Sequence, residues 1–469
     1  MDFLGLFPTW YEAGLGSGWV VGIIATVHVL FSHTAVGAAL FFGYLATVAY
    51  RNDRPELLDY IRRYGLFLLV FSYVLGSITG PGIWYSTTVA SPRGISALIH
   101  NFVWGWSAEW VFFVIEVVGV YSMVYLVGKV DGRTYMKISW IFGGASLTTM
   151  LIIVGILSFM MWPGTEGYMQ EGGYLYGYYG ANQFAQLAMR VAFMFTMNAV
   201  VGGIVVSGMK TDALKREMAR KLAVLGLVSA AAGFALLNWY MATLPPYAAT
   251  MVQTRLPERF GPSMLITLGL TAGYFLLTLI RPRVLVPGLA GSMTVVLLVF
   301  GLWPEETARE SLRKPYVAGQ YVYSNQVIAR DVPGMGISSE LPMLEAHGLL
   351  ATHAFLPDEL RQVTPGNAAQ VGEAIALSMC ANCHSLSDTG MRPIRDYYGD
   401  VTDVAAIRDY SKAAMATGAT MYMPAIPLKD IEWEALAVFL ASLEDETVPA
   451  QYAAEKRAEG RKLAQKEGD

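Results

Sequence analysis

The stretch Gly18–Val48, GWVVGIIATVHVLFSHTAVGAALFFGYLATV, decides the fold class. It contains no Asp, Glu, Lys or Arg. Its length is greater than the about 20 apolar residues that a helix needs to cross about 30 Å of hydrocarbon. A helix on the surface of a soluble protein would carry a polar face, which this stretch lacks. We therefore expect it to be a membrane-spanning helix.

Seven further apolar runs follow along the chain, near residues 65–88, 101–127, 138–162, 184–208, 221–243, 263–280 and 285–303. The 469 residues are 54% hydrophobic and only 15% charged, whereas soluble proteins carry about 25% charged residues. These features predict an all-α membrane protein built on a bundle of about eight transmembrane helices. The small net charge of −4 gives no indication of nucleic-acid binding.

Basic residues are concentrated in every second loop, and loops on the cytoplasmic side are enriched in Lys and Arg. The loops after the first, third, fifth and seventh runs contain Arg51, Arg54, Arg62 and Arg63; Lys129, Arg133 and Lys137; Lys210, Lys215, Arg216, Arg220 and Lys221; and Arg281 and Arg283. The intervening connections contain only Arg93, Arg255 and Arg259. This pattern places both termini outside, in the periplasm if the membrane is a bacterial inner membrane.

The composition changes after about residue 304, where the apolar runs shorten. We expect the helix bundle to occupy 1–304, a mostly irregular outer connector to occupy 305–369, and a small helical domain to occupy 370–445. The charged tail 446–469 lacks a core pattern, and we expect a solvated, frayed helix or a disordered segment there.

A haem-attachment motif, Cys380-Ala-Asn-Cys383-His384, contains both cysteines of the chain. Two thiols one turn apart can bond to the two vinyl groups of a porphyrin, and the His then binds iron. A zinc site would need further Cys or His nearby, and the chain has no third Cys. The motif therefore predicts one covalent haem c, attached outside.

The second axial ligand should come from downstream of the motif, because a Met paired with His raises the reduction potential of the haem. The segment Thr420-Met421-Tyr422-Met423-Pro424 precedes an apolar-faced helix, as in class I cytochrome c domains, which this part of the chain resembles. We choose Met423 as the ligand, with Met421 as the alternative.

Ionisable residues within membrane spans are costly and usually functional. The apolar runs contain His28, His33, His100, Glu109, Glu116 and Arg190, which we expect in the outer half of the membrane. Each alone could be a hydrogen-bonded core residue, a reading we favour for His33 and His100. The set His28, Glu109 and Glu116 favours a functional site, because Glu109 and Glu116 are two turns apart on one helix face.

The membrane part resembles subunit I of the cytochrome bd-type quinol oxidases at three places. The segment around His28 matches the helix whose His ligates a haem at the oxygen-reducing site. The segment Glu109–Glu116 is similar to a helix with two proton-path glutamates, although its spacing is one residue shorter. Glu310-Ser-Leu-Arg313-Lys-Pro-Tyr316 resembles the Glu-x-x-Arg-x-Pro-Trp signature, which implies that Glu310 is a haem ligand and that Arg313 lies beside the propionates.

The resemblance implies b-type haems in the membrane part, with a d-type haem as a further candidate, and a second membrane subunit. The chain departs from the family in three respects. The fifth run has Arg190 near the position where the family has a haem-ligating His, the long quinol-binding loop is missing, and the C-terminal domain replaces the last helix. The electron donor therefore stays open between quinol and a periplasmic cytochrome.

Two function classes follow from these observations. The first is a bd-like terminal oxidase that reduces O2 with electrons passing through the c-type haem. The second is a non-catalytic electron-transfer subunit of a larger membrane complex. The combination of His28, Glu116, Glu310 and Arg313 favours the first class, and nothing beyond the number of helices indicates a transporter.

Overall fold

Eight apolar helices dominate the computed structural model, which describes residues 3–165, 167–258 and 260–467. These spans, numbered one to eight in chain order, are Ser17–Arg51, Glu56–Ala90, Pro92–Tyr125, Gly132–Met161, Ala181–Ser207, Asp212–Ala242, Phe260–Ile280 and Pro287–Arg313. The predicted all-α membrane bundle is thus confirmed. The orientation of the bundle stays a prediction, and Arg259 and the last two residues of the tail lie outside the described ranges.

The ends and bends of the spans follow from local sequence. Asp131 caps the fourth span by accepting a hydrogen bond from the amide of Thr134 at 3.0 Å, and Pro92 begins the third span, where its missing N–H costs nothing. The third span is kinked at Phe102. The second and eighth spans each contain a π-helical segment, Leu69–Val74 and Leu298–Leu302.

The first span lies at the centre of the bundle and approaches the fifth span closely. A Cβ atom on Gly37 would lie 2.4 Å from the carbonyl oxygen of Met194, so only glycine permits this backbone contact. The core between the spans is rich in aromatic residues, including the fully buried Phe42, Tyr60, Tyr64 and Phe275.

The eighth span continues ten residues past its last apolar residues, to Arg313, so the expected irregular connector from residue 305 is wrong at its start. Its charged side chains pair with one another and with neighbouring spans, which satisfies them without unwinding the helix. The connector then forms a two-stranded antiparallel hairpin, Tyr316–Ala318 with Val322–Tyr323, and two short helices, Leu341–His347 and Leu349–Thr352.

The C-terminal domain contains three main helices, Ala368–Met379, Val404–Met415 and Asp430–Ser442. The first and third cross so closely that a Cβ atom on Gly372 would lie 2.1 Å from the carbonyl oxygen of Ala435. The tail forms a helix, Val448–Glu467, rather than a disordered segment. Tyr452 on this helix is buried against Ala368 and Val438, so the first turns of the tail belong to the domain.

An N-terminal segment, residues 3–16, joins the C-terminal domain to the bundle. Backbone hydrogen bonds link Leu4 N to Thr352 O at 3.0 Å and Met391 N to Leu15 O at 2.9 Å. The carboxylate of Glu340 accepts hydrogen bonds from Gly5 N, Arg93 Nη1 and Ile328 N at 2.6–2.9 Å. The C-terminal domain is therefore fixed to one end of the bundle by contacts far apart in sequence.

Candidate functional site

The Cys380–His384 motif forms a tight turn at the end of the helix Ala368–Met379. The amides of Cys383 and His384 both donate to the carbonyl of Cys380 at 3.0 Å, which brings the two thiols and the imidazole to one turn. Both cysteines are free. Burial raises the pKa of the Cys380 thiol to about 12, so this thiol is protonated at neutral pH.

The His384 ring is oriented by a backbone carbonyl. Its Nδ1 donates to the carbonyl oxygen of Arg392 at 3.0 Å. Burial lowers the pKa of His384 to about 4, so the ring is neutral at physiological pH. A neutral imidazole with its proton on Nδ1 leaves the Nε2 lone pair free, which is the state that binds iron.

The two candidate Met ligands differ in their surroundings. Met423 is partly buried and packs against the core cluster that contains Cys380, whereas Met421 is 46% exposed. Tyr422 between them points towards the bundle, where the guanidinium of Arg255 lies 3.2 Å from its ring centroid. Arg255 ends a short helix, Pro246–Arg255, that connects the sixth and seventh spans and that the loop-charge pattern predicts to lie on the outer side.

Two buried donors in the C-terminal domain have no hydrogen-bond partner among the described residues, the indole N–H of Trp433 and the side-chain amide of Asn382. Trp433 is 1% exposed, and Asn382 lies within the attachment motif. A buried donor without a partner is costly in a folded protein. The propionates of a bound haem are acceptors of the kind these two donors need.

In the membrane part, His28 faces the second span. Its Nδ1 lies 3.0 Å from the hydroxyl of Thr79, and that hydroxyl donates to the carbonyl of Leu75 at 2.9 Å. If the hydroxyl proton goes to the Leu75 carbonyl, the ring donates from Nδ1 and Nε2 stays unprotonated. This arrangement is compatible with a His28 tautomer that can ligate iron.

Glu116 is 5% exposed and lies near the hydroxyls of Tyr73, Ser146 and Thr149. One of its carboxylate oxygens has no hydrogen-bond partner among the described residues. Tyr73 and Ser146 occupy the middle of their spans, so Glu116 is level with the middle of the bundle. Its depth relative to the two membrane faces stays a prediction. Glu109, two turns earlier on the same helix, is half-buried.

Glu310 and His28, which the resemblance assigns to one haem site, belong to separate polar clusters. Glu310 is paired with Arg313 and with Lys314, whose Nζ lies 2.6 Å from Oε1. This cluster lies beside the C-terminal domain, because Arg392 Nη2 donates to the hydroxyl of Ser311 at 3.4 Å. The structure thus brings Glu310 and Arg313 close to the His384 loop rather than to His28.

A further buried cluster surrounds Arg190, which is 4% exposed. Its guanidinium donates to His33 Nε2 at 3.3 Å and to the Glu305 carboxylate at 3.2 Å. Sequence reasoning missed Glu305, because a charged residue just after the last apolar run reads as part of a solvated loop. His100 instead bonds within its own helix, to the carbonyl of Ser96 at 2.8 Å. It is hydrogen-bonded as we expected, but it is exposed and is not a core residue.

Within the part of the chain that the structure describes, no group of three or more His, Cys, Asp and Glu side chains could hold a metal ion. The candidate iron ligands are therefore single side chains that would act with a porphyrin. His384 with Met423, and separately His28, fit this requirement. Glu310 would have to exchange its contacts with Arg313 and Lys314.

The sequence matches no family model and no curated protein. Its fold, however, is similar to a solved structure, the bd oxidase from Geobacillus thermodenitrificans, with a TM-score of 0.54 at 12% sequence identity. The match covers 65% of this chain and 89% of that one. The matched 65% of this chain is close to the fraction of its residues that lie before the end of the eighth span at Arg313. At 12% sequence identity, the similarity shows the fold alone.

Proposed function

We propose that the chain is the haem-bearing subunit of a bd-like terminal oxidase, an oxidoreductase that receives electrons at its outer face through a c-type haem and reduces O2. The observation that carries this proposal is the position of the C-terminal domain. Its His384 and Met423 loops lie against one end of a bundle whose fold is similar to that of a bd oxidase, and we expect this to be the outer end. A covalent redox site at that position is suited to exchange electrons with the membrane part.

Cys380, Cys383, His384 and Met423 would hold the covalent haem. The hydrogen bond to the Arg392 carbonyl orients His384, the partial burial of Met423 favours it over Met421, and Trp433 would donate to a propionate. A haem supplies one-electron chemistry at a potential set by its axial ligands. The protein's part is to orient these ligands and to exclude water.

In the membrane, His28 would bind a b-type haem, or a d-type haem as the further candidate. Glu310 and Arg313 would serve a second haem near the outer face. Glu116 would bind and pass on protons, because a buried carboxyl group beside three hydroxyls can hold a proton and rotate between partners. Glu109 would extend that path along the same helix.

We propose an inner-membrane location with the C-terminal domain in the periplasm, a second membrane subunit, and a periplasmic cytochrome or quinol as donor. A donor cytochrome would approach the C-terminal domain from the periplasmic side.

One observation favours the second candidate, a non-catalytic electron-transfer subunit. Glu310 is already paired with two cations, and Arg190 with His33 and Glu305 occupies the polar interior of the fifth span. If these ion pairs persist in the assembled protein, only the c-type haem and a haem at His28 remain.

The experiment is a pyridine haemochrome spectrum of the purified complex, measured with its oxygen consumption. His28→Ala should remove a high-spin haem signal and oxygen consumption but leave the covalent haem intact. Glu116→Gln should retain all haems and slow turnover. His100→Ala is the matched control, because His100 is exposed and bonds only within its own helix.

The oxidase proposal fails if the native complex contains only the covalent haem, or if His28→Ala leaves all b- and d-type absorbance unchanged. In either case the electron-transfer subunit becomes the better account. Haem that can be removed by denaturation from every band, with no covalent staining, would overturn the c-type site itself.

A further inference from the structure

Three cations lie within electrostatic range of His384, and two of them are outside the C-terminal domain. Arg392 belongs to the domain, Lys314 follows the eighth span, and Arg255 ends the short helix between the sixth and seventh spans. The site that would hold the covalent haem is therefore completed by charges from other parts of the chain.

Arg255 contacts the loop that carries the candidate Met ligands. Its guanidinium lies 3.2 Å from the centroid of the Tyr422 ring, within the range of a cation–π contact. Tyr422 directly precedes Met423, so this contact both places a positive charge beside the loop and fixes its position. Arg255 is free to do so because no carboxylate pairs with it among the described residues.

Lys314 is a second cation from outside the C-terminal domain. It is 6% exposed, and its Nζ bonds to Glu310 at 2.6 Å and to the Ser324 hydroxyl at 3.0 Å. Glu310 is shared with Arg313, and Arg392 reaches the same helix at Ser311. The nearby carboxylates Glu305 and Glu306 are paired with Arg190 and Arg309. The only carboxylate in this group of described residues is therefore that of Glu310. The group contains four cations, Arg255, Arg313, Lys314 and Arg392, so it carries a net positive charge.

Oxidation of a haem adds one positive charge at the iron. Fixed cations nearby disfavour that charge, and the effect is large where burial keeps water and salt away. We propose that the membrane part tunes the C-terminal redox site, with Arg255 and Lys314 as positioning residues that raise the reduction potential of the covalent haem and with Arg255 also holding the Met423 loop. This inference rests on the proposed c-type haem.

The test is a redox titration of the covalent haem in the full-length protein, comparing Arg255→Gln, Arg255→Lys and Lys314→Gln with the native chain. Arg408→Gln is the matched control, because Arg408 is a cation on the helix Val404–Met415 that pairs with Asp409. We expect both Gln variants to lower the potential. At a fixed applied potential the ratio of reduced to oxidised haem should fall about tenfold, which corresponds to 59 mV for one electron.

Arg255→Lys separates charge from stacking. A potential close to that of the control supports the electrostatic role, whereas a fall equal to that of Arg255→Gln overturns it. Loss of the Met–iron charge-transfer band in Arg255→Gln, but not in Arg408→Gln, supports the role in holding the loop. If Lys314→Gln does not fold, the Arg255 variants still test whether a cation from the membrane part raises the reduction potential. Unchanged potentials in both Gln variants refute the inference, while absence of covalent haem from the native chain refutes the proposed function instead.

Discussion

Glu340 joins three distant parts of the chain, and replacing it by Gln tests whether this junction fixes the C-terminal domain to the bundle. Its carboxylate accepts hydrogen bonds from Gly5 N at 2.9 Å, Arg93 Nη1 at 2.6 Å and Ile328 N at 2.9 Å. The side chains of Arg93 and Glu340 are only 21% and 12% exposed. Gln has the same shape but no charge and only one acceptor oxygen.

The expected cost follows from these contacts. Hydrogen bonds to charged groups contribute about 1.5–3 kcal/mol each, and a buried donor left unpaired costs about 1–3 kcal/mol. Glu340→Gln weakens two such bonds and leaves one donor facing an amide NH2 group. We expect local stability to fall by about 2–4 kcal/mol, which corresponds to a roughly 30- to 700-fold change in a local opening equilibrium.

Hydrogen exchange measured at the amides of Gly5 and Ile328 reads this opening directly. Both should exchange faster in Glu340→Gln by the factor given above. Glu56→Gln is the control, because Glu56 pairs with Arg54 on the surface, where such pairs contribute about 0–1 kcal/mol. If the two amides exchange equally fast in the native protein and in Glu340→Gln, the junction does not hold the segment and the reasoning is wrong.

Three further predictions concern pH, ligation and orientation. Burial lowers the pKa of His353, so the free energy of unfolding that depends on its neutral form is fully present above about pH 6.5 and is lost as the pH falls. The free energy of unfolding measured from pH 7.5 to pH 5 should show this loss. His353→Gln should make that pH dependence shallower, whereas the exposed His347→Gln should leave it unchanged. Met423→Leu should leave the haem attached but lower its potential and remove the Met–iron charge-transfer band; if Met421→Leu does so instead, the ligand choice is wrong. A phosphatase fused after residue 444 should be active and one fused within 211–219 inactive, and the reverse pattern would contradict the orientation.

The bundle could be predicted from sequence because each span satisfies its own backbone hydrogen bonds in lipid and so must be apolar along its length. The end of the eighth span could not, since Glu305, Glu306 and Arg309 read as solvated residues. In the structure they form ion pairs. Glu306 pairs with Arg309, and Glu305 pairs with Arg190, which lies three spans earlier in the chain. Hydropathy records composition and not partners, so a charged helix end that is paired is indistinguishable from a loop.

In the candidate site, the local motif could be predicted from sequence, whereas the long-range contacts could not. The attachment motif identifies Cys380, Cys383 and His384 because its chemistry is local. The contact between Arg255 and Tyr422, and the bond between Arg392 and Ser311, join residues more than 80 positions apart. Their geometry depends on how the C-terminal domain docks, and one sequence without its fold contains no signal for that docking.

The N-terminal segment has a consequence for the order of biogenesis. Its residues Leu4–Leu15 bond to partners at Gln326, Thr352 and Ser385–Met391, all of which are synthesised after every span has been made. The start of the chain therefore lacks its final partners until the last domain has been synthesised and has reached the same side of the bundle. Because Leu386 and Met391 lie two and seven residues after His384, closure of the segment covers the flank of the Cys380–His384 motif. If the proposed covalent haem is attached there, its attachment should precede closure, and the closed segment would mark a chain whose assembly is complete.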